Sequence, residues 1–127
     1  MPVRHILLID DDEDDHEIFV AALKKTGLNV KYSLSSDARH ALGLLLSGNL
    51  QPDLILLDLN MPVMNGQQFL VAIKKEQAIK EIPVIILSTS SHQPTIDLTR
   101  DLGAKDFITK PDKLDGLISA LKKLLSD

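Results

Sequence analysis

Three short apolar runs are the clearest feature of the hydrophobic pattern along the chain. They occupy residues 6–9, 54–57 and 84–87, and each is continuous rather than alternating. Continuous runs of this length predict strands that are buried on both faces, as in the middle of a parallel sheet. Two further segments predict edge strands, because residues 30–34 alternate between apolar and polar side chains and residues 105–109 carry charge.

Helical patterns follow each of these five strands. The predicted helices cover residues 17–25, 37–46, 67–75, 95–102 and 114–125. Strict alternation of strand and helix predicts an α/β fold, a doubly wound parallel sheet with helices on both faces. With the first, third and fourth strands central, the predicted strand order is 2-1-3-4-5. In such a sheet the ligand crevice lies beyond the carboxyl ends of the first and third strands.

Composition adds limits to this picture. The 127 residues are 44% hydrophobic and 25% charged, which predicts one globular domain over residues 1–127. The formal net charge of -4 argues against a nucleic acid partner. The absence of cysteine excludes disulfides and thiolate metal sites. No apolar run approaches the roughly 20 residues of a membrane span, and the start does not resemble a signal peptide, so a cytoplasmic protein without a membrane partner is expected.

Polar side chains follow the predicted strands at the points where they end. Asp10, Asp11 and Asp12 follow the first strand, and Asp58 follows the third. The fourth strand ends at Ser88 and Thr89, and the fifth runs into Lys110 and Pro111. Because neighbouring strands lie about 4.8 Å apart and their carboxyl ends share one edge, we expect these side chains to meet in one pocket.

The charges of this pocket favour a divalent cation. Asp10, Asp11 and Asp58 contribute three negative charges and Lys110 one positive charge, and a divalent ion balances the remainder. The ligands on offer are all oxygen atoms, which favours Mg²⁺ and, second, Mn²⁺. Mg²⁺ often binds phosphate together with one or two carboxylates, so the pocket indicates phosphoryl chemistry. Asp58 is the central candidate nucleophile, with Lys110 and the hydroxyl of Ser88 available to the phosphoryl oxygens.

At this point the residues match a known family. From Ile6 to Leu125 the sequence resembles the CheY-type receiver domains of two-component response regulators. The matching pieces, in family order and spacing, are Leu8-Ile9-Asp10-Asp11, Asp58-Leu59-Asn60-Met61-Pro62 through Gly66, Pro83 to Ser88, Gly103-Ala104 and Lys110-Pro111. The resemblance implies the flavodoxin-like, CheY-like form of the predicted fold.

The resemblance also implies roles for the residues of the pocket. Asp58 corresponds to the phosphoacceptor, and Asp11 to the direct Mg²⁺ ligand, with Asp10 acting partly through water. The backbone carbonyl of Asn60 would be a further metal ligand. Lys110 would pair with the phosphoryl group, and the family's cis peptide bond would fall between Lys110 and Pro111.

A second set of implied roles concerns switching and the loss of phosphate. Ser88 fits the switch hydroxyl, with Thr89 beside it, and Phe107 fits the switch aromatic. The family more often has threonine at the position of Ser88, a smaller residue at Thr89 and a tyrosine hydroxyl that Phe107 lacks. Asn60 and Ser90 occupy the two positions that tune dephosphorylation.

Several of these residues also have simpler interpretations. Acids from Asp12 to Asp15 are typical of a helix N-terminus, where they cap amides and suit the dipole. Lys110 considered by itself would be a surface lysine, and Ser88 a serine at a strand end. The four histidines have no metal-binding spacing and are expected at the surface.

The expected function is that of a stand-alone, single-domain response regulator. A histidine kinase or histidine phosphotransfer protein would phosphorylate Asp58, and the signal would leave through protein contacts of the fourth helix, fifth strand and fifth helix. No enzymatic activity is expected beyond assistance to its own phosphorylation and dephosphorylation. Three alternatives stay open: a phosphorelay intermediate, a phosphate-independent interaction scaffold, and an aspartate-nucleophile phosphatase. Whether phosphorylation causes dimerisation is also left open.

Overall fold

The computed structural model describes residues 3–61, 63–89, 92–111 and 113–125. Within these residues, strands and helices alternate. The strands are β1 (His5–Ile9), β2 (Lys31–Ser35), β3 (Leu54–Leu57), β4 (Val84–Ser88) and β5 (Asp106–Thr109). The helices are α1 (Glu13–Lys25), α2 (Ala38–Leu46), α3 (Gly66–Lys74), α4 (Gln93–Asp101) and α5 (Leu114–Leu125). Each predicted element is therefore present, with boundaries that move by up to four residues.

The five strands form one parallel sheet in the order β2-β1-β3-β4-β5, which confirms the predicted topology. The register pairs Ile9 of β1 with Leu57 of β3 and with Ser35 of β2. The residues that follow Ile9 and Leu57 therefore emerge side by side at the carboxyl edge of the sheet. The strand order reverses between β1 and β3, because β2 lies on one side of β1 and β3, β4 and β5 lie on the other. In a doubly wound fold, the ligand crevice lies at the carboxyl edge of the sheet at this point.

Both faces of the sheet are covered, which explains why its central strands are apolar throughout. Leu7 and Ile9 of β1 pack with α2 and α3 in one core cluster. Ile6 and Leu8, on the opposite face, pack with α1 and α5 in a second cluster. Alternate side chains of a strand point to opposite faces, so a strand between two helical layers needs apolar residues at every position.

Capping explains where two helices differ from their predicted starts. Helix α1 begins at Glu13 because the side chain of Asp12 accepts a hydrogen bond from the backbone amide of Asp14 at 2.9 Å. Helix α4 begins at Gln93 because Pro94 is accommodated in the first turn, where its missing amide proton is not needed. In the described part of the chain, no helix combines the length and the hydropathy that a membrane span needs.

Candidate functional site

Three carboxylates converge at the carboxyl edge of the sheet. The backbone amides of Asp10 and Asp58 donate hydrogen bonds to Ser35 and Ile9, both at 3.0 Å, and so continue the sheet ladder past the strand ends. One oxygen each from Asp10, Asp11 and Asp58 lies within 4.8 Å of the other two. Asp10 is 1% exposed and Asp58 7%, whereas Asp11 is exposed. An all-oxygen, anionic donor set of this kind fits Mg²⁺ or Mn²⁺.

Lys110 reaches into this cluster from the end of β5. Its Nζ atom donates hydrogen bonds to Asp15 Oδ2 at 2.7 Å and to Asp10 Oδ2 at 2.9 Å. The distance to Asp58 Oδ1 is 3.9 Å, which is an ion pair without a direct hydrogen bond. The backbone amide of Lys110 bonds the carbonyl of Ser88 at 2.6 Å, so the edge of the sheet fixes the base of the side chain.

The peptide bond between Lys110 and Pro111 corrects one prediction. The resemblance implied a cis bond here, but the described residues contain no cis peptide bond. Lys110 reaches Asp10 and Asp15 with this bond in the trans form, the default geometry of a peptide bond.

The pKa values of the site reflect burial first and charge second. Burial raises the pKa of Asp58 to about 6, although the positive charge of Lys110 opposes the increase and the negative charge of Asp10 adds to it. Burial also raises the pKa of Asp10, against the lowering effect of its hydrogen bond from Lys110. For Lys110, burial lowers the pKa, but the hydrogen bonds to Asp15 and Asp10 outweigh it and leave the pKa above its ordinary value.

Sequence reasoning missed the role of Asp15 in this cluster. It was predicted to be a helix N-terminal acid like Asp12, which is the N-cap, yet its carboxylate pairs with Lys110 at 2.7 Å. A signal was available, because Asp15 lies four residues before Phe19 and seven before Ala22, two buried residues of α1. That spacing places Asp15 on the side of α1 that faces the protein.

The four histidines differ in how far their side chains are buried. His40 and His92 are exposed, as expected. His5 and His16 are half-buried, which corrects the expectation that all four lie at the surface. The Nε2–H group of His16 donates to the backbone carbonyl of Asp10 at 2.6 Å and so ties the turn after β1 to helix α1.

Ser88 and Asn60 border the crevice on the side of α4. They line a cavity of about 500 Å³ with five other residues: Leu59, Met61, Asn65, Gln67 and Thr95. Ser88 is buried, and the side chain of Asn60 is exposed. The backbone amide of Asn60 lowers the pKa of Asp58, against the effect of burial.

The remaining candidate residues are Thr89, Ser90 and Phe107. Thr89 is exposed just beyond the end of β4. Phe107 of β5 is half-buried and packs against the core cluster that contains α2 and α3. Ser90 lies outside the described residues. Two of the three predicted switch residues, Ser88 and Phe107, line cavities together with residues of α4.

Comparisons with known proteins agree with this architecture. The profile of the family described as "Response regulator receiver domain" matches residues 6–122. This match covers well over half of the chain, and the chain belongs to the response regulator receiver domain family. Phosphorelay signalling is the function of this family, which is a family of receiver domains and not of classical enzymes.

Relatives of known identity include regulators from a plant and a cyanobacterium. Two-component response regulator ARR15 of Arabidopsis thaliana is 33% identical over 132 residues, an alignment that covers 98% of this chain and 63% of that protein. Response regulator Rcp1 of Synechocystis is 28% identical over 130 residues, covering 98% of this chain and 88% of Rcp1. The chain thus spans less than two thirds of the length of ARR15 and most of the length of Rcp1.

Solved structures extend the likeness to three dimensions. The phosphorylated cyanobacterial phytochrome response regulator RcpA has a TM-score of 0.86 at 32% identity, with 95% of this chain and 90% of that chain covered. The Mn²⁺-bound form of Rcp1 has a TM-score of 0.84 at 28% identity, with 95% and 91% covered. Together with the acidic cluster of Asp10, Asp11 and Asp58, these findings indicate a divalent metal site.

Proposed function

We propose that this chain receives a phosphoryl group on Asp58 from the phosphohistidine of a kinase or phosphotransfer protein. The observation that carries the proposal is the buried Asp58 carboxylate, which lies within 4.8 Å of two other carboxylates and 3.9 Å from a lysine. An Asp58 oxygen would attack the phosphorus atom as the phosphorus–nitrogen bond breaks, and the histidine nitrogen would leave with the electron pair.

The residues around Asp58 supply the binding groups for this step. Asp10, Asp11 and Asp58, with the backbone carbonyl of Asn60, would hold a Mg²⁺ ion. The bound ion supplies positive charge that neutralises the carboxylates and the phosphoryl oxygens. Lys110 would donate to one phosphoryl oxygen, since one of its three N–H groups is not used by Asp10 or Asp15.

Output would follow from a shift in the position of Ser88 and Phe107. The hydroxyl of Ser88, beside Thr89, would bond a phosphoryl oxygen and draw the loop after β4 inward, and Phe107 would follow into the space that this opens. The surface formed by α4, β5 and α5 would then present a changed shape to a partner protein in the cytoplasm. Asn60 and Ser90 would tune the rate at which phosphate is lost.

Labelling with acetyl phosphate tests the phosphoacceptor. With Mg²⁺ present, we expect the wild-type protein to gain the mass of one phosphoryl group, and EDTA to prevent the gain. Asp58→Asn should not be labelled, whereas Asp14→Asn, an exposed acid of α1, should be labelled like the wild type. Labelling of Asp58→Asn at the wild-type rate would show that another residue is the nucleophile.

The labelling assay, together with measurements of phosphotransfer, ester turnover and oligomeric state, separates the alternatives. An unlabelled wild-type protein that still binds its partners would be a phosphate-independent scaffold. Rapid transfer from phosphorylated Asp58 to a second histidine protein would identify a relay intermediate. Turnover of a generic phosphate ester would indicate a phosphatase, and size-exclusion chromatography with and without phosphorylation would answer the question of dimerisation.

A metal titration tests the ion site independently of phosphorylation. Asp11→Ala should weaken Mg²⁺ binding far more than Asp14→Ala, because only Asp11 belongs to the converging carboxylates. Equal losses would mean that the ion binds elsewhere.

A further inference from the structure

We propose that Asp15 is a positioning residue that holds Lys110 away from Asp58, so that the Asp58 carboxylate stays available to the divalent cation. This inference rests on the proposed metal site and assigns a role to a residue outside the three converging carboxylates. In this role, Asp15 acts through Lys110 and touches neither the cation nor the phosphoryl group.

The hydrogen bonds of Lys110 carry the first step. The ammonium group has three N–H donors, and it bonds Asp15 at 2.7 Å and Asp10 at 2.9 Å. Asp58 is 3.9 Å away, too far for a hydrogen bond. Asp15 is thus the partner nearest to the ammonium group, and Asp58 is the farthest of the three. The ammonium group is retained on the α1 side of the crevice.

Helix α1 holds Asp15 in place. The residue lies in the first turn, between the N-cap Asp12 and the buried Phe19, whose side chain is fixed in the core against α5. The side chain of Asp15 is only 31% exposed. Its carboxylate therefore occupies a defined position beside Lys110 and is not a freely moving surface group.

The position of Lys110 affects how well the site can bind a cation. Lys110 and a divalent cation are attracted by the same carboxylates, so an ammonium group that bonds Asp58 competes with the ion for its oxygens. Asp15 gives Lys110 a carboxylate that is not among the three converging ones, Asp10, Asp11 and Asp58. Without that carboxylate, Lys110 would keep its bond to Asp10 and take Asp58 as its second partner, and the ion would have to displace it from Asp58.

The chain offers a matched control at the adjacent position. Asp14 lies in the same first turn of α1, and its side chain is exposed. Asp14→Asn and Asp15→Asn make the same change to the net charge and nearly the same change to the helix N-terminus. Both substitutions preserve side-chain size, and Asp15→Asn leaves Lys110 paired with Asp10, so both variants should fold.

Isothermal titration calorimetry with Mg²⁺ measures the effect. We expect Asp15→Asn to raise the dissociation constant about tenfold, the equivalent of part of one charge-assisted hydrogen bond, and Asp14→Asn to raise it less than about twofold. In a Lys110→Met background, Asp15→Asn should change the constant less than about twofold, because the residue through which it acts is gone. A crystal structure of Asp15→Asn grown with EDTA should show Lys110 Nζ at hydrogen-bond distance from Asp58.

Each other result has a definite meaning. If the wild-type protein binds no Mg²⁺, the proposed metal site is wrong. If the wild type binds Mg²⁺ and the two single variants bind it equally well, the site stands and the role of Asp15 is refuted. A tenfold effect that persists in the Lys110→Met background would mean that Asp15 acts on the ion directly, which also overturns the proposal, as would an unchanged distance between Lys110 and Asp58.

Discussion

Replacing Asp58 with asparagine should make the protein more stable at neutral pH in EDTA. Burial raises the pKa of Asp58 from 3.8 to about 6, which means that the folded protein holds the proton more tightly than the unfolded chain does. The ionised carboxylate therefore costs stability. That cost is absent below the unfolded pKa, grows as the pH rises from 3.8 to about 6, and is complete above that range.

The size of the gain follows from the same pKa difference. At pH 7.5 the cost is about 3 kcal/mol, and at pH 5 it is about 1.6 kcal/mol. Asparagine removes the charge with little change in shape. It also leaves no unpaired buried cation, because Lys110 keeps its bonds to Asp10 and Asp15. We therefore expect Asp58→Asn to be more stable than the wild type by up to these amounts.

Urea denaturation followed by circular dichroism at both pH values measures this gain in the free energy of unfolding. The exposed control Asp14→Asn should change it by less than about 0.5 kcal/mol at either pH. Saturating Mg²⁺ should reduce the advantage of Asp58→Asn, because the ion stabilises the folded wild type through this carboxylate. A variant that is no more stable than the wild type at pH 7.5, or whose gain does not depend on pH, would refute the reasoning.

Three further substitutions test the backbone, two in the segment from the end of β3 to the start of α3 beside the site and one at the opposite edge of the sheet, each by urea denaturation. Gly66→Ala should cost about 2 kcal/mol, because a Cβ atom there would lie 2.6 Å from the carbonyl oxygen of Asp58; a neutral result would mean that the loop adjusts freely. Val63→Asn should gain about 1 kcal/mol, since this valine has a φ of 68° and is 73% exposed; a loss would mean that its side chain has an unrecognised contact. Asp53→Ala should cost about 1 kcal/mol, because its carboxylate accepts hydrogen bonds at 2.9 and 3.0 Å from two backbone amides at the start of β1; unchanged stability would show that water replaces it fully.

The sequence predicted the sheet well because the pattern of each strand depends on its place in the fold. The strands at residues 54–57 and 84–87 are apolar at every position since helices cover both of their faces. Edge strand β2 retains exposed side chains, which its alternating pattern had indicated. Helix starts were predicted less well, because a cap such as Asp12 depends on local backbone geometry that apolar periodicity does not report.

The residues of the candidate site could also be predicted only in part. Asp10, Asp58, Ser88 and Lys110 could be found from the sequence because each lies at the end of a recognisable strand, and parallel strands bring their ends to one edge. The sequence could not show that Lys110 bonds Asp15, because the two residues are 95 positions apart and meet only in the folded chain, where α1 packs beside α5.

The sequence by itself determined the order of elements, the strand order and the edge of the sheet at which the acids and the lysine gather. Those features follow from hydrophobic periodicity and chain direction, which are local properties. Only the tertiary structure decided that Lys110 bonds Asp15 and Asp10 and stays 3.9 Å from Asp58. The position of an ammonium group among four carboxylates is set by differences of an ångström in packing and by burial, and neither is encoded in the pattern of any one segment.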